Sequence, residues 1–194
     1  MEKPYALGVG GRRFESCHLD LRLESLFLEA FLFCRLNLIM DTISHALWGK
    51  GLFGYRKYRW YALLFGAIPD LLSFGVYFLF NLLINPTSFK LGKPPINDIP
   101  NWVFSLYDFS HSIVIAFICI AIIYRINKEF CFPMYAWPFH IIVDFFTHNT
   151  QYLPTPIFWP ISNYKFDGIP WSNPIIWFTN IFCIILLFIY RKKY

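Results

Sequence analysis

Three ionisable side chains fall four residues apart in one apolar stretch: His140, Asp144 and His148. At helical spacing all three project from one face. Imidazole nitrogen and carboxylate oxygen both ligate zinc at about 2 Å, and a single turn brings two of them to one ion. H-x-x-x-D alone is a weak signal. It gains weight here because the surrounding residues are those of a membrane helix, where ionisable groups are costly and mark function. His45, Asp70 and His111 stand against the same apolar background. The candidate metal ligands are therefore His45, Asp70, His111, His140 and Asp144. His148, together with Asp144, is the candidate for moving the proton of a reacting water.

Blander roles compete with this one. A single buried histidine is more often hydrogen-bonded structure than a ligand. Asp70 follows Pro69 and could cap the lower half of a helix broken there. Five or six such residues at one depth are harder to explain as caps. Ser44, Ser110 and Thr147 each precede one of the histidines. They either hold the imidazoles by hydrogen bonds or satisfy nearby carbonyls, and the sequence favours neither.

The elements that must carry these residues are apolar. Of 194 residues, 57% are hydrophobic, 22% aromatic and 15% charged, against about 25% charged in soluble domains. The expected fold is all-α: an integral membrane bundle of about four spans plus a short N-terminal helix. That short helix begins at Asp41 or Thr42 and ends near Gly49 or Gly51. Residues 60–84 form a first span with an internal Pro-Asp. Residues 109–124 form a second, 130–147 a third interrupted by Pro133 and Pro138, and 174–190 the last. Between them lie two long loops, 85–107 and 148–173. Residues 26–40 are apolar but short, and contain Glu29 and Arg35. They form neither a clear span nor a leader with a small-residue cleavage site. The five cysteines show no C-x-x-C pair and read as small apolar packing residues.

The charges agree with this division. The net charge is +5, and the basic residues come in short runs: Lys50 to Arg59, Arg125 with Lys128, and Arg191 to Lys193. Even numbers of spans separate these runs, so all fall on one side, which the positive-inside rule makes cytoplasmic. Such a pattern favours membrane orientation over nucleic-acid binding. Trp102, Trp159 and Trp171 fall in the outer loops, near the expected interface. Counted along the helices, Asp70 lies about 15 Å from the cytoplasmic end and His140 about 6 Å deeper than Asp144. Convergence in the central or outer membrane follows.

At these residues the chain resembles the YdjM-like membrane-bound metal-dependent hydrolases of bacteria and archaea. The family pattern M-D-x-x-[ST]-H, Pro-Asp, T-H-S and H-x-x-x-D-x-x-T-H reads here as Met40-Asp41-Thr42-Ile43-Ser44-His45, Pro69-Asp70, Ser110-His111-Ser112 and His140 to His148. The order is also similar to that of zinc-dependent phospholipases C. Two family positions differ. Leu72 stands where many members carry a second Asp, and Leu106 to Phe109 replace H-R-G-x. The resemblance implies one ion, or two with Asp144 bridging, zinc being the expected metal. It also implies a start at Met40, leaving 1–39 as an extension outside a membrane-embedded domain of 40–194.

The function implied is hydrolysis of an ester or phosphoester of a lipid or lipid-linked substrate, in the inner (cytoplasmic) membrane, through a metal-activated water. H-E-x-x-H is absent, which argues against membrane zinc proteases. Two alternatives stand beside this reading. One is an intramembrane proton or metal-ion carrier using the same His/Asp cluster, although repeated halves are missing. The other is a structural membrane protein whose site has been lost.

Overall fold

The computed structural model describes residues 41–87 and 92–193. The expected extension, 1–39, lies outside them. The described residues are all-helical, and their one extended feature is an isolated bridge between Asn149 and Tyr152. Helix α1 covers 41–53. It is followed by α2 (Arg59–Asp70), a π-helical turn (Leu71–Gly75) and α3 (Val76–Ile84), then α4 (Asn101–Ser110) and α5 (Ile113–Ile126). The chain ends with α6 (Lys128–Met134), α7 (Ala136–Thr147) and α8 (Pro174–Lys193).

Two helical runs are long and apolar enough to cross a membrane: Arg59–Ile84, 26 residues, and Pro174–Lys193, 20 residues, each with a mean hydropathy of 1.8. Helices α4 and α5 add a third if they act as one span, bent by 55° at their junction. Part of what reads as loop in 85–107 is therefore helix, because Asn101–Ser110 leads directly into the bend. Pro100 precedes the first residue of α4, a place where a missing N–H costs nothing.

Proline acts differently in each run. Pro69 does not break its helix. The chain passes through Asp70 into the π-helical turn, and Ser73 Oγ donates to the Pro69 carbonyl at 2.9 Å. Asp70 makes no capping hydrogen bond, so its carboxylate is left for other partners. In the run 128–147 the break falls at Tyr135, and Pro138 sits in the first turn of α7, where its ring is tolerated. Helix α7 is the buried centre of the bundle, with Ala136, Trp137, Pro138, His140, Ile141 and Asp144 all inside.

Helices α1 and α2 cross at small residues. A Cβ at Gly49 would lie 2.3 Å from the Ala62 carbonyl, and one at Gly66 would lie 2.4 Å from the His45 carbonyl. Backbone therefore meets backbone, in the manner of small-residue helix pairs in membranes. Helix α8 buries only Asn180 and Ile184. Asn180 accepts from Trp48 Nε1 at 2.7 Å and donates to Ser44 Oγ at 2.9 Å, which fastens α8 to α1. Beyond this junction an apolar cluster of Phe65, Ala116, Ile120, Cys131, Met134, Trp137 and Ile141 fills the core.

The loop 148–173 stitches the outer ends together. Gly168 N–H donates to the His148 carbonyl, Ile169 N–H to Phe146 and Trp171 N–H to Thr147, tying the end of α7. Tyr107 Oη donates to the Leu153 carbonyl at 2.9 Å, Ile113 N–H donates to Ile157, and Ser112 Oγ donates to Trp159, tying the α4–α5 junction. Within the loop, Asp167 accepts from the Thr150 amide at 2.7 Å and from its hydroxyl at 2.8 Å. These bonds, the backbone one first, hold the Asp167 carboxyl below its usual range.

Candidate metal centre

Four structural devices deliver the ligands. The close α1–α2 crossing brings His45 inward. The unbroken passage through Pro69 presents Asp70 from α2. The bend after Ser110 puts His111 at an irregular position, φ −99° and ψ 21°, with Ser112 capping α5 by accepting from Ile115 N–H. Helix α7 contributes His140 and Asp144 from one face, and His148 follows at its end.

These residues meet. His111 Nε2 and His140 Nε2 are 3.4 Å apart. Asp144 Oδ2 lies 3.3 Å from the first and 3.0 Å from the second. Asp70 Oδ1 lies 3.6 Å and 3.8 Å from the same two nitrogens. Four ligands around one ion at about 2.0–2.1 Å would be separated by about 3.3 Å along each edge of the tetrahedron. Five edges of this group run from 3.0 to 3.8 Å. The group can hold a metal ion.

The tautomers are fixed from behind. His140 Nδ1–H donates to the Gly66 carbonyl at 2.7 Å, and His111 Nδ1–H donates to the Tyr107 carbonyl at 3.1 Å. A carbonyl can only accept, so each neutral ring carries its proton on Nδ1 and turns a bare Nε2 lone pair to the centre. Two lone pairs facing each other at 3.4 Å beside a carboxylate repel unless a cation lies among them. Asp70 Oδ2 is held by the Thr42 hydroxyl at 2.7 Å, and the Tyr107 ring stacks on His111 at 3.9 Å between centroids. Such supports are what metal sites use to aim their ligands.

A second group shares Asp144. His45 Nε2 lies 2.8 Å from Asp144 Oδ1 and 3.0 Å from Asp41 Oδ1. His148 Nδ1 lies 3.6 Å from Asp144 Oδ1, and its Nε2 lies 3.9 Å from Asp41 Oδ2. Asp41, Asp144 and His148 also suffice as a three-ligand position. Asp144 thus turns Oδ2 to one group and Oδ1 to the other. Among the described residues both oxygens are buried without a hydrogen-bond partner, as are Asp41 Oδ1 and both nitrogens of His45. Short distances without hydrogen-bond alignment are what lone pairs converging on a common cation produce. A buried carboxylate with no donor is otherwise costly. The residues present therefore fit one or two metal ions.

The six sequence candidates come together, and Asp41 joins them. Its signal is in the sequence, four residues before His45 on one helix face. Thr42 carries no such signal, since nothing in the sequence pairs it with Asp70. The three hydroxyls divide. Ser110 Oγ, 3.0 Å from His111 Nδ1, also donates to the Pro69 carbonyl at 3.0 Å. Thr147 satisfies the Val143 carbonyl, and Ser44 serves Asn180 rather than His45. Trp171 does not face outward. It is buried edge-on to His45 at 5.5 Å, and its Nε1 has no partner. His148 and Asp70 are the accessible members, with side chains 18% and 13% exposed.

No family model, no curated protein and no solved structure matches this chain.

Proposed function

We propose that this chain is a membrane-embedded, metal-dependent hydrolase of the YdjM-like kind, cleaving an ester or phosphoester of a lipid or lipid-linked substrate. One observation carries the reading: Asp144 divides its two unpartnered oxygens between two sets of imidazoles, with His148 partly open to the outside. The nitrogen and oxygen donors and the near-tetrahedral edges suit zinc. A divalent ion held there would lower the pKa of a water towards 7 and polarise the substrate's ester oxygen.

The chain's own residues divide the remaining work. Asp144, from the bundle centre, fixes the relative position of the two ligand sets. Asp41, His45, Asp70, His111 and His140 hold charge and orientation. With one ion, held by the Asp70–His111–His140–Asp144 group, His148 donates its Nδ1 proton to the Asp144 carbonyl at 3.2 Å and keeps the Nε2 lone pair to accept a proton from water. Trp171 and the loop around it limit access of bulk water. A lipid substrate suits a centre carried by helices that expose large apolar side chains such as Leu72, Ile142 and Phe146.

The bundle is taken as four spans: α2–α3, α4–α5, α6–α7 and α8. Lys57 pairs with Glu129 at 2.7 Å and Arg191 reaches the Gly51 carbonyl at 2.9 Å, so three basic runs share one end. That end is cytoplasmic in an inner-membrane orientation. A carrier is less well supported. Its relay would have to continue towards the basic end, where the described residues place the apolar Phe65–Ile141 cluster.

The test uses purified protein in mild detergent and in phospholipid vesicles. Bound zinc, its loss in Asp144→Asn, and metal-dependent release of headgroup or phosphate from a lipid phosphoester are expected. Proton or metal flux into vesicles without hydrolysis would replace this reading with the carrier.

A further inference from the structure

At the opposite end of α1 from Asp41 lies a second built feature, a cavity of about 610 Å³. Its wall carries Lys50, Arg56, Lys57, Arg59 and Arg191 together with the Phe188 ring. The cations are held mostly by rings rather than by acids. Lys50 Nζ lies 3.8 Å from the Trp60 ring centre, Arg56 4.3 Å from Phe132 and Arg191 4.1 Å from Tyr55. Among the described residues one carboxylate, Glu129, answers them, and it is engaged by Lys57. Cation–π contacts fix a side chain without neutralising it. The cavity therefore keeps most of its positive charge.

The backbone adds to this. Helix α2 begins at the cavity with Arg59 in its first turn, no acid there, and no side-chain cap from Tyr58. A positive residue at the positive end of a helix is the wrong sign, unless an anion lies between. Tyr58 itself holds φ 67°, a left-handed conformation rare for a residue with a side chain. The same helix that brings Phe188 and Arg191 to the cavity, α8, exposes Phe182, Ile185, Leu186 and Ile189.

We infer that this cavity binds the phosphate of one anionic phospholipid, with the headgroup among Lys50, Arg59 and Arg191 and the acyl chains along α8. Phosphate is the shared chemistry. The exposed apolar face of α8 favours a lipid over a soluble source. Diffuse attraction of anionic lipid to basic juxtamembrane residues is the simpler account, and the test separates the two.

The full chain in detergent is titrated with short-chain phosphatidylglycerol, chain-matched phosphatidylcholine and inorganic phosphate, and its melting temperature is followed. Phosphatidylglycerol should raise the melting temperature saturably, the other two little. Each cation removed should weaken the response about fivefold, so Lys50→Gln with Arg59→Gln should weaken it about 25-fold. The charge-matched pair Lys128→Gln with Lys192→Gln, outside the cavity, should change it little. Equal losses in the two pairs would leave only diffuse attraction and overturn the site. Inorganic phosphate acting as strongly as the lipid would overturn the lipid source. Native mass spectrometry of the unmodified chain gives a check that does not depend on variant folding. Retention of a single phosphatidylglycerol supports the site, and indifference between the two lipids refutes it.

Discussion

His140 donates to the carbonyl of Gly66 at 2.7 Å, and the bare Cα of Gly66 is what lets the His45 backbone pass. One residue thus orients one imidazole and admits another. In Gly66→Ala the new methyl would sit 2.4 Å from the His45 carbonyl. Backbone cannot step aside as a side chain can, so α1 and α2 must part. The expected cost is about 1–3 kcal/mol of stability, together with loss of bound metal. Unfolding in detergent and elemental analysis check both, and a Gly66→Ala variant that stays stable with full metal would refute the crossing.

Asp41 and Asp144 should differ in kind. Asp144 serves both ligand groups, whereas the ion-pair partners of Asp41 among the described residues are His45 and His148. Asp41→Asn is expected to lower metal content by about half in a two-ion protein, leaving the Asp70–His111–His140 group loaded. Asp144→Asn should empty both. Identical metal content in the two variants would contradict a bridging carboxylate.

Asn180 joins α8 to α1 through two buried hydrogen bonds. In Asn180→Leu the Trp48 indole N–H and the Ser44 hydroxyl lose their partner in an apolar setting. A loss of about 1–3 kcal/mol is expected, with the metal group of α2, the α4–α5 junction and α7 retained. Thermal unfolding beside metal analysis separates the two effects.

The outer loop should loosen in acid. Asp167 has a folded pKa below its ordinary 3.8, because it accepts from Thr150. A depressed carboxyl contributes stability above its unfolded pKa and loses it as the pH falls through the lower, folded value. Hydrogen exchange at the Thr150 amide should therefore lose protection below about pH 3.8, more than intrinsic exchange rates predict. Asp167→Asn should lack that step. An unchanged profile would show that the bond does not hold the loop.

Much of the centre is legible in the sequence because its residues announce themselves against an apolar background. His140 and Asp144 follow from spacing alone, and matched depth adds His45, Asp70 and His111. The rest depends on geometry that spacing does not carry. A proline suggests a broken helix at Asp70, whereas the π-helical turn absorbs it and Ser73 takes up the carbonyl. Residues 101–107 look like loop because polar Asn101 and Ser105 interrupt their apolar pattern. Trp171 reads as an outer-loop residue, since a sequence cannot say that its ring packs edge-on against His45. Asp41 reads first as the start of a helix, and that role hides its place one turn before His45.

The fastening of α8 to α1 has a consequence in time. Trp48 and Asn180 are 132 residues apart, and Gly51 and Arg191 are 140 apart. At synthesis rates of about 5–20 residues per second, the helix carrying Asp41 and His45 waits roughly 7–28 s for its last neighbour. Asp41 and His45 therefore gain the support of α8 only after every other described helix of the bundle has been made.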